Sequence, residues 1–235
     1  MATYSPIELP NKPPLFTGEP PVFNKFDEEY ANTAKFILRH GEKKEDRTGV
    51  GTISVFGRML RFDLREGFPL LTTKQVPFKS VLSELLWFIE GSGDERRLAE
   101  ILYGKDRSEL TDKTTIWSGN ANASYWKPKA KFEGDLGRPY GVQYRHWNGP
   151  AHIQTFTPTP PFDGYRQAST NLVTEKVDQI KNLIEGIKKD PFGRRHIVSA
   201  WNPGELDEMA LPPCHMMYQF NVSKDGYLSC LFSMR

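Results

Sequence analysis

Residues 77–90 constrain the fold of this chain more than any other stretch. Val81, Leu82, Leu85, Leu86, Phe88 and Ile89 recur at helical spacing and cover a broad apolar face. So wide a face has to be covered by other segments, because apolar surface left in water forfeits the main driving force of folding. Gly91-Ser92-Gly93 predicts where this helix stops. With 235 residues and 38% hydrophobic content, the chain has material for one large domain or two small ones around such an element.

The remaining elements are mixed. Residues 1–25 hold Pro6, Pro10, Pro13, Pro14, Pro20 and Pro21 and read as an extended arm without a core of its own. Residues 26–40 have helical spacing through Tyr30, Ala34, Phe36, Ile37 and Leu38, with Gly41 as the stop. After the polar loop Asp46-Arg47-Thr48-Gly49-Val50-Gly51-Thr52, residues 52–57 and 59–64 alternate like the two arms of a hairpin. Residues 177–189 are amphipathic through Val177, Ile180, Leu183, Ile184 and Ile187, and Asp190-Pro191 ends them. Residues 196–201, 218–222 and 227–233 read as strands, with Lys224-Asp225-Gly226 as a turn, and 203–209 as a short helix. Residues 103–135 and 148–174 show no clear period and read as insertions or surface loops.

Charge and cysteine content narrow the class. There are 31 basic and 29 acidic residues, a net charge of +2, so no basic excess points to a nucleic-acid partner. The two cysteines, Cys214 and Cys230, give no disulfide framework, and a reducing compartment is the default. The first residues carry no apolar run, so neither a signal peptide nor a membrane span is expected and the chain is placed in the cytoplasm.

Chemistry concentrates around Leu211-Pro212-Pro213-Cys214-His215. Two prolines fix φ and remove two backbone donors, which holds the cysteine in a stiff, extended approach. The alternating Tyr218-Gln219-Phe220-Asn221-Val222 follows, so the thiol sits at the mouth of a strand, where it can attack an electron-poor carbon. A buried structural cysteine is the bland alternative. Arg194-Arg195, after a Pro-Phe-Gly turn, and Arg47 suit phosphate oxygens, although solvated surface charge explains isolated arginines equally well. Glu84 sits within the apolar helix, as a polar-stripe residue or as a general acid or base. Trp117 and Tyr140 read as core plugs or as stacking platforms for a flat ligand. His40, His146, His152, His196 and His215 are scattered, and no metal-ligand spacing, Walker loop or dinucleotide fingerprint is present.

Taken together, these segments resemble the thymidylate synthase family, whose superfamily includes pyrimidine nucleotide hydroxymethylases. Asp46-Arg47-Thr48-Gly49, Phe68-Pro69-Leu70-Leu71-Thr72-Thr73-Lys74, Glu84-Leu85-Leu86-Trp87-Phe88 and Gly134-Asp135-Leu136-Gly137 occur in the family's order. Tyr140-Gly141, Arg194-Arg195, Ser199-Ala200-Trp201-Asn202-Pro203 and Leu211-Pro212-Pro213-Cys214-His215 continue it, over roughly residues 28–235 apart from the two insertions. The resemblance implies an α+β fold with a large twisted mixed sheet, one catalytic domain over 26–235, and a homodimer packed sheet to sheet. It implies reductive methylation of dUMP to dTMP through a covalent cysteine adduct. Methylenetetrahydrofolate would be the co-substrate, dihydrofolate the second product, and no metal would be needed.

Residue by residue, Cys214 matches the nucleophile, Glu84 the carboxylate that moves protons through ordered water, and Tyr140 the hydroxyl that assists loss of the carbon 5 proton. His215 would order the site, and Trp117 with Glu84 would meet the folate. Arg47 and Arg235 match phosphate ligands and would favour the thiolate. Arg194 and Arg195 match phosphate ligands lent by the partner subunit.

The chain also departs from the pattern. Family members continue past the position of Arg235 with base-reading, ribose-binding and folate-closing segments. The sequence is therefore expected to be C-terminally truncated, with an incomplete core and no turnover by itself. A fragment, a truncated reading and a gene interrupted by an intron or intein all remain open. Met234 stands where synthases usually have Gln, and Ser118 where they usually have Asp. Both raise the alternative of a dUMP or dCMP hydroxymethylase on the same scaffold, beside an inactive fragment of either.

Overall fold

The computed structural model describes residues 24–46, 49–156 and 169–235. Most of the expected arm, Arg47 and residues 157–168 lie outside the described residues. The chain divides into two compact units, one ending at Phe78 and one spanning Lys79–Arg235.

In the first unit, α1 (Lys25–His40) begins where the Asn24 side chain accepts the Asp27 N–H at 2.9 Å. Asp27 and Glu28 in its first turn and Arg39 and His40 in its last complement the helix dipole. Gly41 caps it, donating its N–H to the Ile37 carbonyl at 2.7 Å. The hairpin expected between 52–57 and 59–64 does not form. Instead β1 (Glu42–Lys44) pairs antiparallel with β2 (Thr52–Ser54), Lys43 facing Ile53. The loop between them closes on glycines: Gly49 and Gly51 take positive φ, and Asp46 accepts N–H groups from both. That near partner takes up β2, and residues 59–63 run without regular structure into a 3₁₀ turn, Leu64–Glu66, capped by Asp63.

The second unit holds the core. In α2 (Phe78–Glu90), Trp87 and Phe88 are buried, whereas Val81, Leu85 and Ile89 are exposed, so the wide apolar face is covered on one flank. Gly91, at φ +82°, ends the helix, and Trp87 Nε1 donates to the Asp94 carbonyl at 3.0 Å. Asp94 caps α3 (Glu95–Tyr103), a helix the sequence pattern leaves unassigned. Its left-handed stop is Gly104.

The stretch 103–135 is not a loose insertion. It is a chain of turns around α4 (Ser118–Ala121), pinned by buried Leu110, Trp117 and Trp126. Trp126 donates to the Asp135 carbonyl at 2.7 Å. Gly137 follows at φ +74°, and a Cβ there would meet the Glu208 carbonyl oxygen at 2.0 Å, so this turn requires glycine. Next comes α5 (Tyr140–His146), also unassigned from sequence, and then β3 (Trp147–Phe156) paired antiparallel with β4 (Ser169–Val177). The described residues of 148–174 are therefore sheet rather than irregular loop.

The C-terminal part follows the sequence pattern. Asp178 caps α6 (Gln179–Lys189), and Asp190 ends it. A 3₁₀ helix spans Pro203–Glu208. β5 (Ile197–Ser199), β6 (His215–Val222) and β7 (Leu228–Met234) form an antiparallel sheet in that order. Helices and strands are thus mixed, as α+β implies, and among the described residues the largest sheet has three strands. No described helix is long and apolar enough to cross a membrane.

Candidate active site

The thiol-bearing segment is fixed from three directions, all within the second unit. Pro213 is buried, and the Cys214 N–H donates to the Tyr140 hydroxyl at 2.9 Å. The Arg235 N–H donates to the Cys214 carbonyl at 3.0 Å, so the end of β7 closes on the start of β6. The Arg235 side chain turns back on the same segment: Nε donates to the Pro213 carbonyl at 3.0 Å and Nη2 to the Pro212 carbonyl at 3.1 Å. Its guanidinium also lies over the Trp201 ring, 5.4 Å from the centroid. These bonds leave the prolyl carbonyls satisfied and Cys214 half-buried at the strand mouth, as its proline context predicts.

Around it the expected aromatic and acidic residues converge. The His215 ring packs 5.3 Å from Tyr140 and 5.0 Å from Phe232. Tyr140 is 5.7 Å from Trp117, edge to face, and 4.7 Å from Phe88. Trp117 Nε1 donates to Glu84 Oε1 at 2.6 Å. Trp117 is only 6% exposed, so it is both a core plug and the partner of a carboxylate. Among the described residues the other Glu84 oxygen receives no hydrogen bond, which leaves it able to meet a polar ligand in this half-buried setting.

Burial sets the protonation states of the neighbours. It pushes the Tyr140 hydroxyl above the ordinary tyrosine range, beyond the opposing hydrogen bond from Cys214, so the phenol keeps its proton at neutral pH. It pushes the His215 imidazole below its ordinary 6.5, although the Glu84 charge pulls the other way. His215 is accordingly neutral at pH 7. Among the described residues no group of three or more His, Cys, Asp or Glu could hold a metal ion.

Arg194 and Arg195 are exposed after the Asp190–Gly193 turn, and among the described residues neither forms an ion pair or a hydrogen bond to Cys214, Glu84 or Tyr140. Arg47 lies outside the described residues. Cys230 is exposed on β7. Met234 is exposed, whereas Ser118 is turned into the interior, its hydroxyl donating to Glu95 at 2.6 Å. Glu95 and Trp201 are site neighbours that sequence reading missed. The Asp94 cap signal before Glu95 and the Leu98-Ala99 apolar pair could have placed α3 and its first-turn acid.

A family model described as thymidylate synthase matches residues 28–235. The chain belongs to the thymidylate synthase family. It is 45% identical over 207 residues to the thymidylate synthase of Coxiella burnetii (strain RSA 493 / Nine Mile phase I), a match covering 88% of this chain and 62% of that protein. It is 42% identical over 218 residues to a putative bifunctional dihydrofolate reductase-thymidylate synthase of Oryza sativa subsp. japonica, covering 91% of this chain and 39% of that protein. The chain thus spans 62% of the length of the bacterial synthase it matches. The family match includes every element of the Cys214–Tyr140–Glu84–Trp117 cluster.

Proposed function

We propose that the full-length protein carries out the reductive methylation of dUMP to dTMP, with methylenetetrahydrofolate as co-substrate and dihydrofolate as second product. The observation that carries this reading is the Cys214 segment, held by Tyr140 and Arg235 beside the Glu84–Trp117 pair. The Cys214 thiolate adds to carbon 6 of the pyrimidine, moving the ring π electrons toward the carbon 4 carbonyl and making carbon 5 nucleophilic. Glu84 relays a proton to that carbonyl through water, using the oxygen that Trp117 does not occupy. Carbon 5 bonds to the methylene carbon of the folate. Water ordered by Tyr140, itself protonated by burial, removes the carbon 5 proton as the methylene–nitrogen bond breaks. Hydride delivered to the methylene carbon re-forms the ring double bond and expels the Cys214 thiolate. The folate supplies the one-carbon unit and the hydride that makes it a methyl group. Trp117 and Glu84 are the residues that would hold it.

The phosphate falls to Arg47, Arg235, Arg194 and Arg195. Two of the five Arg235 N–H donors serve prolyl carbonyls, which leaves donors for a phosphate oxygen. Arg194 and Arg195, exposed and without an ion pair among the described residues, fit a site lent to a second subunit. A homodimer packed sheet to sheet is supported by exposed Ile197 and Leu231, which the register places on one face of the β5–β6–β7 sheet. The compartment proposed is the cytoplasm, with no nucleic-acid or membrane partner and no metal.

Of the two departures that favour a hydroxymethylase, Ser118 has a packing reason, its bond to Glu95. The test is product analysis of the full-length protein with dUMP and methylenetetrahydrofolate. dTMP with dihydrofolate supports the proposal. A hydroxymethyl nucleotide with tetrahydrofolate would mean that water, not hydride, ends the reaction. Lending of arginines is tested by mixing Cys214→Ala protein with Arg194→Ala, Arg195→Ala protein. Hybrid dimers should regain activity, and none after verified subunit exchange would count against it.

A further inference from the structure

We infer that Glu95 is a positioning residue, fixing the Trp117 indole and through it the Glu84 carboxylate. This rests on the synthase reading above. Glu95 opens α3 and is 2% exposed. Its backbone N–H is held by the Gly134 carbonyl at 2.8 Å. Its carboxylate is saturated: Arg96 donates from Nε to Oε2 at 2.6 Å and from Nη2 to Oε1 at 2.7 Å, and the Thr115 and Ser118 hydroxyls each donate to Oε1 at 2.6 Å.

Those hydroxyls hold the backbone on both sides of Trp117. The Thr115 hydroxyl accepts the Trp117 N–H at 3.1 Å, and the Ser118 hydroxyl accepts the Thr115 N–H at 2.8 Å. Arg96 Nη1 meanwhile holds the carbonyls of Leu110, at 3.1 Å, and Lys113, at 3.0 Å. One buried ion pair therefore closes the whole 110–118 turn. Trp117 cannot rotate about its backbone without breaking a buried hydrogen bond, each costly to leave unmade. Its indole N–H in turn fixes one oxygen of Glu84. The clamp also accounts for a serine at 118: a second carboxylate there would stand against Glu95, and like charges in so buried a place repel.

A merely structural Glu95 would contribute stability and nothing more, so the test needs a probe at Trp117. Tryptophan indoles of the full-length protein are labelled with nitrogen-15, and the Trp117 resonance is assigned by its loss in Trp117→Phe. In the wild type that N–H should be shifted downfield and slow to exchange. In Glu95→Gln, Ser118→Ala and Thr115→Val its protection should fall about ten-fold or more. In the same variants kcat for dihydrofolate formation should fall about ten- to hundred-fold, as small misplacements do, with KM for dUMP within about two-fold. Arg97→Ala, on the same helix but paired with Glu90 and Glu100, should change neither. Should Glu95→Gln fail to fold, the two single-hydroxyl variants decide. An unmoved Trp117 resonance would overturn the clamp, and a moved resonance with unchanged kcat would overturn the positioning role. A wild type with the protected indole but no turnover of dUMP would refute the synthase reading alone, and the resonance would still decide the clamp.

Discussion

The turn closed by Glu95 and the cluster around Glu84 and Cys214 are neighbours, joined through Trp117, yet they treat their polar groups in opposite ways. Glu95 has both oxygens filled by a guanidinium and two hydroxyls. Glu84 has one oxygen filled, and Cys214 and His215 are only half-buried. A saturated carboxylate has no capacity left for a ligand, so it acts only through the groups it holds, Trp117 first among them. Half-buried, incompletely partnered groups keep capacity for a substrate and for proton transfer. Rigid support beneath a reactive cluster is what precise chemistry requires.

The comparison is broken most severely by removing the thiol. Cys214→Ala should lower turnover on the order of 10⁴-fold or more while nucleotide binding, read by calorimetry, persists. Cys230→Ala should stay within about two-fold of wild type, since that side chain is exposed and outside the cluster. Equal losses in both would mean that the thiols act through stability. Glu84→Gln comes next. It should lower kcat by roughly 10²–10⁴-fold, the range for a general acid or base, with little change in melting temperature.

The saturated side should fail in stability as well as in positioning. Arg96→Met leaves the Glu95 carboxylate buried without its cation and should cost about 3 kcal/mol in denaturant unfolding. A loss near zero would show that water reaches Glu95. The same carboxylate gives an acid signature. Burial acts to raise it, but hydrogen bonds from Arg96, Ser118 and Thr115 outweigh burial and hold it below the ordinary 4.5. Its contribution is therefore complete above pH 4.5 and is lost as pH falls through the lower folded value, and Glu95→Gln should flatten that slope.

The smallest effect belongs to His215. Because burial lowers its imidazole below 6.5, the stability it contributes is present above that pH and fades as the pH falls through the folded value. His215→Asn should reduce the acid sensitivity of the melt in that window, and an unchanged profile would remove His215 from the titrating groups.

Much of the site was legible because its residues carry strong local signals. Two prolines before Cys214 and alternation after it fix a strand mouth, and helical periodicity places Glu84 among apolar neighbours. The C-terminal strands and α6 followed for the same reason. The turns over 103–135 were not legible, since their order comes from single anchors such as Trp126 bonding Asp135, not from any period. α3 was hidden because its first turn, Glu95-Arg96-Arg97, looks solvated, whereas Glu95 and Arg96 neutralise each other and are buried together. Residues 59–64 alternated convincingly but lost their partner to the shorter glycine-closed loop between β1 and β2.

The central claim is that Cys214 forms a covalent bond to the nucleotide during turnover. The full-length protein incubated with methylenetetrahydrofolate and 5-fluoro-dUMP, whose fluorine cannot leave as the carbon 5 proton does, should stall with that bond intact. Digestion and mass spectrometry should then find the mass of the nucleotide joined through the methylene group to the folate on the peptide that contains Cys214, and none in Cys214→Ala. Recovery of an unmodified Cys214 peptide from protein that turns over dUMP normally would contradict the account.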